Sequence, residues 1–281
     1  MKVQIILDST TDLPNALRSQ CRIVPLCVRF GDTEYIDGVT IDHQQFYEKL
    51  IESDQLPTTS QPTPDAFAQA YQKCVDAGQK AVVLTVSSEL SGTYQSATIA
   101  AMDFPGQVYV VDSRSVAIGT GILAQLAIHM AQGGADAEEI VRQISAEREN
   151  VRLIAMLDTL EYLKKGGRIS STIAFAGNLL AIKPVVCVRN GSIAMLGKAR
   201  GSKQANNLLV EEIQKAGGVD FDKPVLLGYT GLTDALLKKY IADSSSLWAQ
   251  SQSELDYTPI GSVIGTHAGP GAVAAAFFAK N

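Results

Sequence analysis

Ala81-Val82-Val83-Leu84-Thr85-Val86 runs into Ser87-Ser88-Glu89-Leu90-Ser91-Gly92-Thr93. A helical pattern to Met102 and a strand pattern over Gln107–Asp112 come next. A nearly unbroken apolar run of this length fits a strand buried on both faces, as in a parallel sheet. The loop after it is rich in small hydroxyl residues and glycine. Such residues start helices well, and they leave backbone N–H groups free to face an anion. This strand–loop–helix–strand unit therefore sets two expectations, a parallel α/β layer and an anion-facing loop at its strand ends.

The same rhythm extends outward. Val3–Leu7 reads as a strand, followed by Asp8-Ser9-Thr10-Thr11-Asp12 and a helix over Leu13–Gln20 with Pro14 in its first turn. Cys21–Phe30 reads as one strand and Tyr35–Val39 as a short extended piece. Asp42 caps a helix to Ile51, and Thr58-Thr59-Ser60-Gln61-Pro62 leads into a helix over Pro64–Ala77. Gly119–Gly133 and Asp136–Asn150 read as two more helices. Alternation of this kind predicts a three-layer α/β/α domain with a parallel sheet over residues 1–150.

Residues 151–281 have a different pattern. Val151–Leu157 is a strand, and Asp158 caps a short helix, Leu160–Lys165, stopped by Gly166-Gly167. A helix is expected over 171–182. Pro184–Arg189 and Ser192–Ala199 flank Asn190-Gly191, a hairpin signal. A long helix over Ser202–Ala216, a strand over Pro224–Thr230, a helix over Thr233–Gln250 and a strand over Thr258–Gly265 follow. The last strand is expected to run into the turn Gly265-Thr266-His267-Ala268-Gly269-Pro270-Gly271-Ala272, ahead of an apolar helix. The hairpin implies a mixed sheet, so a second α/β domain is expected over 151–281, with a ligand site between the two.

Composition narrows the classes. The chain has 281 residues, is 46% hydrophobic and carries a net charge of −5. No segment approaches the length of a membrane span, and the strand at the N-terminus is too short and too soon charged for a secretory signal. A cytoplasmic protein is expected. The four cysteines are scattered, so neither a disulfide framework nor a zinc site is expected. Charge is uneven: residues 1–150 sum to −9 and residues 151–281 to +4. Lys164, Lys165, Arg168, Lys183, Arg189, Lys198, Arg200 and Lys203 occur between Tyr162 and Val210 with no acidic residue among them. That stretch suits an anionic ligand or an acidic partner, or else a solvated face balanced elsewhere in the fold.

Six motifs in order give the chain a family likeness: Asp8-Ser9-Thr10-Thr11-Asp12-Leu13-Pro14, Thr59-Ser60-Gln61-Pro62, Leu90-Ser91-Gly92-Thr93-Tyr94-Gln95-Ser96-Ala97, Val111-Asp112-Ser113, Tyr162-Leu163-Lys164-Lys165-Gly166-Gly167-Arg168-Ile169, and Thr266-His267-Ala268-Gly269-Pro270-Gly271. Over its whole length the sequence resembles the DegV family of bacterial fatty-acid-binding proteins. The resemblance implies a carrier and not an enzyme. A long-chain fatty acid would lie with its tail in a buried tunnel and its carboxylate where the two domains meet. A separate ATP-dependent kinase would then form the acyl phosphate for phospholipid synthesis. By motif, the head-group ligands implied are Thr59 or Ser60, Ser91 and His267, with Ser60 slightly preferred, and with Gly92 and Thr93 adding backbone donors. Arg168, and less directly Arg200, would meet the phosphate or the kinase. Helix capping by Ser91 or Ser60, and surface solubility for the two arginines, are the plainer explanations of the same residues. Asp8 and Asp12 more simply organise their own loop.

No cofactor or metal is expected, and a monomer is. No phosphate-binding Gly-rich loop with a partnering lysine is present, so the chain is not expected to be its own kinase. Two rivals stand beside the carrier. One is a serine hydrolase with Ser91 as nucleophile, His267 as base and Asp8 or Asp112 as orienter, although the G-x-S-x-G elbow is missing. The other is a protein handling a small carbonyl compound such as dihydroxyacetone.

Overall fold

The structure, a computed structural model, describes residues 2–169, 182–251 and 254–280. In chain order the first half holds β1 (Val3–Asp8), α1 (Asn15–Arg18), β2 (Arg22–Val24), β3 (Cys27–Phe30), β4 (Thr33–Ile36), α2 (His43–Glu52), β5 (Thr58–Ser60) and α3 (Pro64–Asp76). It continues with β6 (Lys80–Thr85), α4 (Thr93–Ala101), β7 (Val108–Asp112), α5 (Ile118–Gln132) and α6 (Ala137–Glu147). The second half holds β8 (Val151–Met156), α7 (Glu161–Lys165), β9 (Ile182–Arg189), β10 (Ser192–Arg200), α8 (Gly201–Lys215) and β11 (Leu226–Tyr229). It ends with α9 (Ala235–Asp243), α10 (Ser245–Trp248), β12 (Tyr257–Pro259), α11 (Ser262–Ala268) and β13 (Val273–Phe278).

Local chemistry explains many of the boundaries. Asp42 accepts from the Gln45 N–H while Gln45 reaches back, a reciprocal cap on α2. Thr63 caps α3 with Pro64 in the first turn, and Asp136 caps α6 through the Glu139 N–H. Asn190 and Gly191 both take positive φ in the tight turn of the β9–β10 hairpin.

Strands β2-β1-β6-β7 form a parallel sheet, as the alternation predicts. Its faces follow the period-two pattern of β1. Ile6 packs with Phe67, Tyr71 and Cys74 of α3 and Ala97 of α4. Ile5 and Leu7 pack with α5 and α6 on the other side. A six-stranded mixed sheet runs in the order β10-β9-β8-β13-β11-β12. One face packs on α8 and α9 through Ile154, Val185, Leu227 and Phe277. The other face, with Leu153, Leu226, Ala276 and Phe278, packs on α5. Helix α5 therefore lies between the two sheets in one continuous core and is buried from Ile118 through Gln125. A small antiparallel sheet, β4-β3-β5, packs with α2 and α11 beside it.

Several expectations change. The strand over Cys21–Phe30 breaks at Pro25, which has no N–H to give a ladder. Its two parts serve different sheets, β2 in the parallel sheet and β3 in the small one. The first helix is only Asn15–Arg18. The helix over Thr233–Gln250 breaks at Ser244, whose hydroxyl bonds the Tyr240 carbonyl and accepts from the Trp248 indole. Thr159, not Asp158, accepts from the Glu161 N–H at the start of α7, and Asp158 pairs with Lys183 instead. The strand over Thr258–Gly265 stops at Pro259, and α11 begins at Ser262. The alanine-rich segment after Ala272 is not a helix. It is β13, a central strand paired antiparallel with β8 and β11. Alanine favours helices, but this strand is buried throughout and small residues let α5 approach it. The helix expected over 171–182 lies outside the described residues except for Ile182, which begins β9.

The close packing of α5 yields a test. A Cβ at Gly121 would overlap the backbone carbonyl oxygen of Asp12. Gly121→Ala should lower unfolding free energy by on the order of 1–3 kcal/mol through overpacking, despite the better helix propensity of alanine. Chemical denaturation measures this, and an unchanged or raised stability would contradict the packing.

Candidate functional site

A cavity opens where the C-terminal ends of β1 and β6 face the mixed sheet and the start of α5. Ligands favour that edge of a parallel sheet. The cavity has a volume of ≈ 120 Å³. From the first half, Leu26, Val86, Val116 and Ala117 line it. From the mixed sheet, Leu153, Ala155, Val186, Val188, Ile193 and Ala274 line it. The wall is aliphatic, and the short side chains of Ala155 and Ala274 leave space beside α5.

One end of the cavity is polar. Thr10, Thr59, Ser91, Arg168 and His267 line it together, each from a different segment. Strand β5 alternates, so Thr59 points inward while Thr58 and Ser60 are exposed. Thr59 Oγ1 lies 3.0 Å from His267 Nε2. His267 sits in the last turn of α11, not in a loop. Its ring lies against Gly166, where a Cβ would overlap Nδ1. Burial, with the nearby Arg168 cation second, pushes the imidazole pKa down to about 4, so the ring is neutral near pH 7. Nδ1 is buried with no hydrogen-bond partner among the described residues. In the tautomer with the proton on Nε2, the unpartnered Nδ1 is an acceptor and not a donor. The Nε2–H then donates to Thr59, and the Thr59 hydroxyl is left to donate onward into the cavity.

Ser91 Oγ lies 2.8 Å from Thr93 Oγ1 and accepts from the Thr93 N–H at 3.3 Å. Arg168 follows the Gly166-Gly167 turn. Its Nε donates to the Leu90 carbonyl at 3.2 Å and one terminal nitrogen donates to the Gly166 carbonyl at 2.6 Å. The guanidinium thus fastens the turn after α7 to the Ser87–Thr93 loop.

Carboxylates hold the surrounding loops. Asp8 accepts from the N–H groups of Thr10 and Val86, and so joins the ends of β1 and β6. Asp12 accepts from the Gly261 N–H and Asp37 from the Ser262 hydroxyl, which fixes the start of α11. Burial pushes the Asp12 carboxyl up to about 8. Asp112 accepts from the Ser88 N–H and hydroxyl.

The structure thus brings together Thr59, Ser91, Arg168 and His267. It does not bring in Ser60, which is exposed at the edge of β5, so Thr59 and not Ser60 faces the cavity. Gly92 is the residue before α4, and the Gln61 side chain packs on it and bonds its carbonyl and Ser96. Thr93 is fully buried behind Ser91, its N–H already taken. Arg200 lies exposed at the end of β10, outside the cavity. The hydrolase triad is not assembled: His267 pairs with Thr59 rather than Ser91, while Asp8 and Asp112 bond other partners. The apolar walls also suit a small polar carbonyl compound poorly. Thr10, which the sequence motif gives only as part of its loop, bonds Asp8 through its hydroxyl and lines the cavity. Among the described residues there is no cluster of His, Cys, Asp and Glu that could hold a metal ion. No helix among them is long and apolar enough to cross a membrane.

Comparison with known proteins covers the whole chain. The profile of a family described as "Uncharacterised protein, DegV family" matches residues 2–280. A Thermotoga maritima protein named a fatty acid-binding protein is 32% identical over 97% of this chain and 96% of its own length. A Thermus thermophilus DegV family protein, described for its fatty acid binding, is 31% identical. It superposes with a TM-score of 0.87 over 99% of this chain and all of that one. A stearic acid-binding protein of Eubacterium ventriosum is 25% identical, with a TM-score of 0.87 over 98% of both chains.

The buried neutral imidazole gives a pH signature. Its pKa is lower folded than unfolded, so between pH 6.5 and about 4 the unfolded chain binds the extra proton and stability falls as pH falls. Relative to His267→Gln, the wild type should lose on the order of 2–3 kcal/mol between pH 7 and pH 4, and no more below that. Parallel stability curves for the two proteins would show that His267 is not buried as a neutral base.

Proposed function

The chain belongs to the DegV family, and from that premise and the geometry of the cavity we propose that it is a carrier for a long-chain fatty acid. The observation that carries this reading is an aliphatic-walled cavity into which Thr59, Ser91, a neutral His267 imidazole and the Arg168 guanidinium project, with Thr59 and His267 in contact and Arg168 bonded beside Ser91. Two domains, 1–150 and 151–281, meet at that cavity. The acyl tail occupies the aliphatic part and the carboxylate faces Thr59, Ser91 and Arg168, with His267 acting through Thr59.

The energetics favour this division. A tail of sixteen to eighteen carbons gains on the order of 10 kcal/mol from burial at ~0.8 kcal/mol per CH₂. That exceeds the several kcal/mol needed to desolvate a partly compensated carboxylate. Retention is the work of the tail, and the polar end sets orientation. Because Arg168 already spends donors on the Leu90 and Gly166 carbonyls, it guides the head group without burying a free cation. A separate ATP-dependent kinase then phosphorylates the presented carboxylate, and the acyl phosphate serves phospholipid synthesis. Arg168 at the cavity and Arg200 on the exposed end of β10 supply positive charge toward the phosphate and the kinase. The protein acts in the cytoplasm, without a cofactor and without catalysis of its own.

Two experiments test the reading. Ala155→Leu places a larger side chain in the cavity wall and should weaken binding of an eighteen-carbon acid about tenfold or more with the fold retained. Unchanged affinity would place the tail elsewhere. Ser91→Ala combined with His267→Ala should leave a fatty acid bound but lower acyl-phosphate yield about tenfold or more in a reconstituted kinase assay. An undiminished yield would remove these residues from the head-group site.

A further inference from the structure

A second cavity, outside the proposed lipid site, lies where β8 begins and β9 ends. Its volume is ≈ 390 Å³. Leu153, Cys187 and Val188 line both cavities. The chemistry of the two is opposite. Arg114, Arg148, Arg152, Arg189 and Lys215 line the second cavity, against only Glu149 and Glu212.

The carboxylates do not balance these cations. Glu149 Oε1 pairs with Arg114 at 2.8 Å and lies 3.5 Å from Arg148 Nε. That Nε is buried and makes no hydrogen bond among the described residues. Glu212 is occupied by Lys215 at 2.7 Å. Arg152 donates to the carbonyls of Glu149 and Val151 and, among the described residues, has no carboxylate partner. Arg189, exposed at the rim beside Asn190, likewise has no ion-pair partner among the described residues. Backbone geometry also holds the group in place. Arg114 has φ 51°, in the left-handed region that disfavours a residue with a Cβ. Asp112 keeps it there by accepting its N–H at 2.9 Å. Arg148 is fixed by its bond to the Asp112 carbonyl at 2.8 Å.

Among the described residues, Glu149 is the one carboxylate paired with these four guanidinium groups, so a bound anion would offset the repulsion that remains among them. Planar forked donors match the oxygens of a phosphoryl group two at a time. We propose that this cavity binds the phosphoryl group of a small phosphate-bearing molecule, at a site separate from the lipid. Leu153, Cys187 and Val188, which line both cavities, place that anion next to the acyl cavity.

Calorimetric titration of the full chain with inorganic phosphate, pyrophosphate and ATP, each at matched ionic strength in chloride, tests this. At least one should bind saturably at one site per chain. Binding should weaken about tenfold or more in Arg189→Gln with Arg152→Gln, while copurifying or added fatty acid is retained as in the wild type. Tightest binding of ATP assigns the site to a nucleotide, and tightest binding of phosphate or pyrophosphate assigns it to a bare phosphoryl compound. If the double variant does not fold, Arg189→Gln alone carries the test, since it loses no ion pair and its thermal midpoint without ligand should not fall. No saturable binding of any of the three, or equal binding by the variant, overturns the proposal.

Discussion

Helix α5 is packed between two sheets, and the rest of the molecule follows from that confinement. A helix with sheets on both sides cannot present the polar stripe of a surface helix, and Ile118 to Gln125 are accordingly all buried. Close approach demands small residues on the helix and on what it touches, hence Gly121 against the Asp12 carbonyl and the alanines of β13 facing α5. The same small residues leave room where the helix begins. The cavity is therefore a consequence of how the two sheets meet, lined on one side by strand-end loops and on the other by the mixed sheet.

Those strand-end loops bring polar groups to an apolar space, where each one must be paired. Asp8 joins the ends of β1 and β6, Asp12 and Asp37 fix the first turn of α11, and that helix carries His267 in its last turn. Gly166 leaves room for the imidazole, and Arg168 two residues on ties the same turn to the Ser91 loop. The polar end is thus positioned by three loops and a short helix whose hydrogen bonds connect them. A neutral histidine suits such a place better than a charged one, because burial would penalise the imidazolium while the Thr59 hydroxyl can turn its hydrogen toward a carboxylate.

Much of this was legible in the sequence. The apolar run Ala81–Val86 and the strand–helix alternation gave the parallel sheet, and Asn190-Gly191 gave the hairpin of the mixed sheet. The loops that converge on the cavity were recognisable from their small hydroxyl residues. Other features needed the third dimension. Whether Thr59 or Ser60 faces inward depends on the register of a three-residue strand at the edge of a small sheet, which pairing with β3 decides. Val273–Phe278 has the composition of a helix, and only burial between layers makes it a strand. The helix that carries His267 is hidden in the sequence because the segment after Pro259 lacks a strong start signal; it begins under Asp12 and Asp37, more than two hundred residues away in sequence. The arginine cavity was invisible because its members come from separate segments between residues 114 and 215.

The central claim is that the aliphatic cavity holds an acyl tail. Native mass spectrometry of the purified chain, with extraction and identification of any lipid, tests it most directly. One fatty acid per chain, released on denaturation, is the predicted result. A protein that is empty as purified and takes up no added long-chain fatty acid would contradict it.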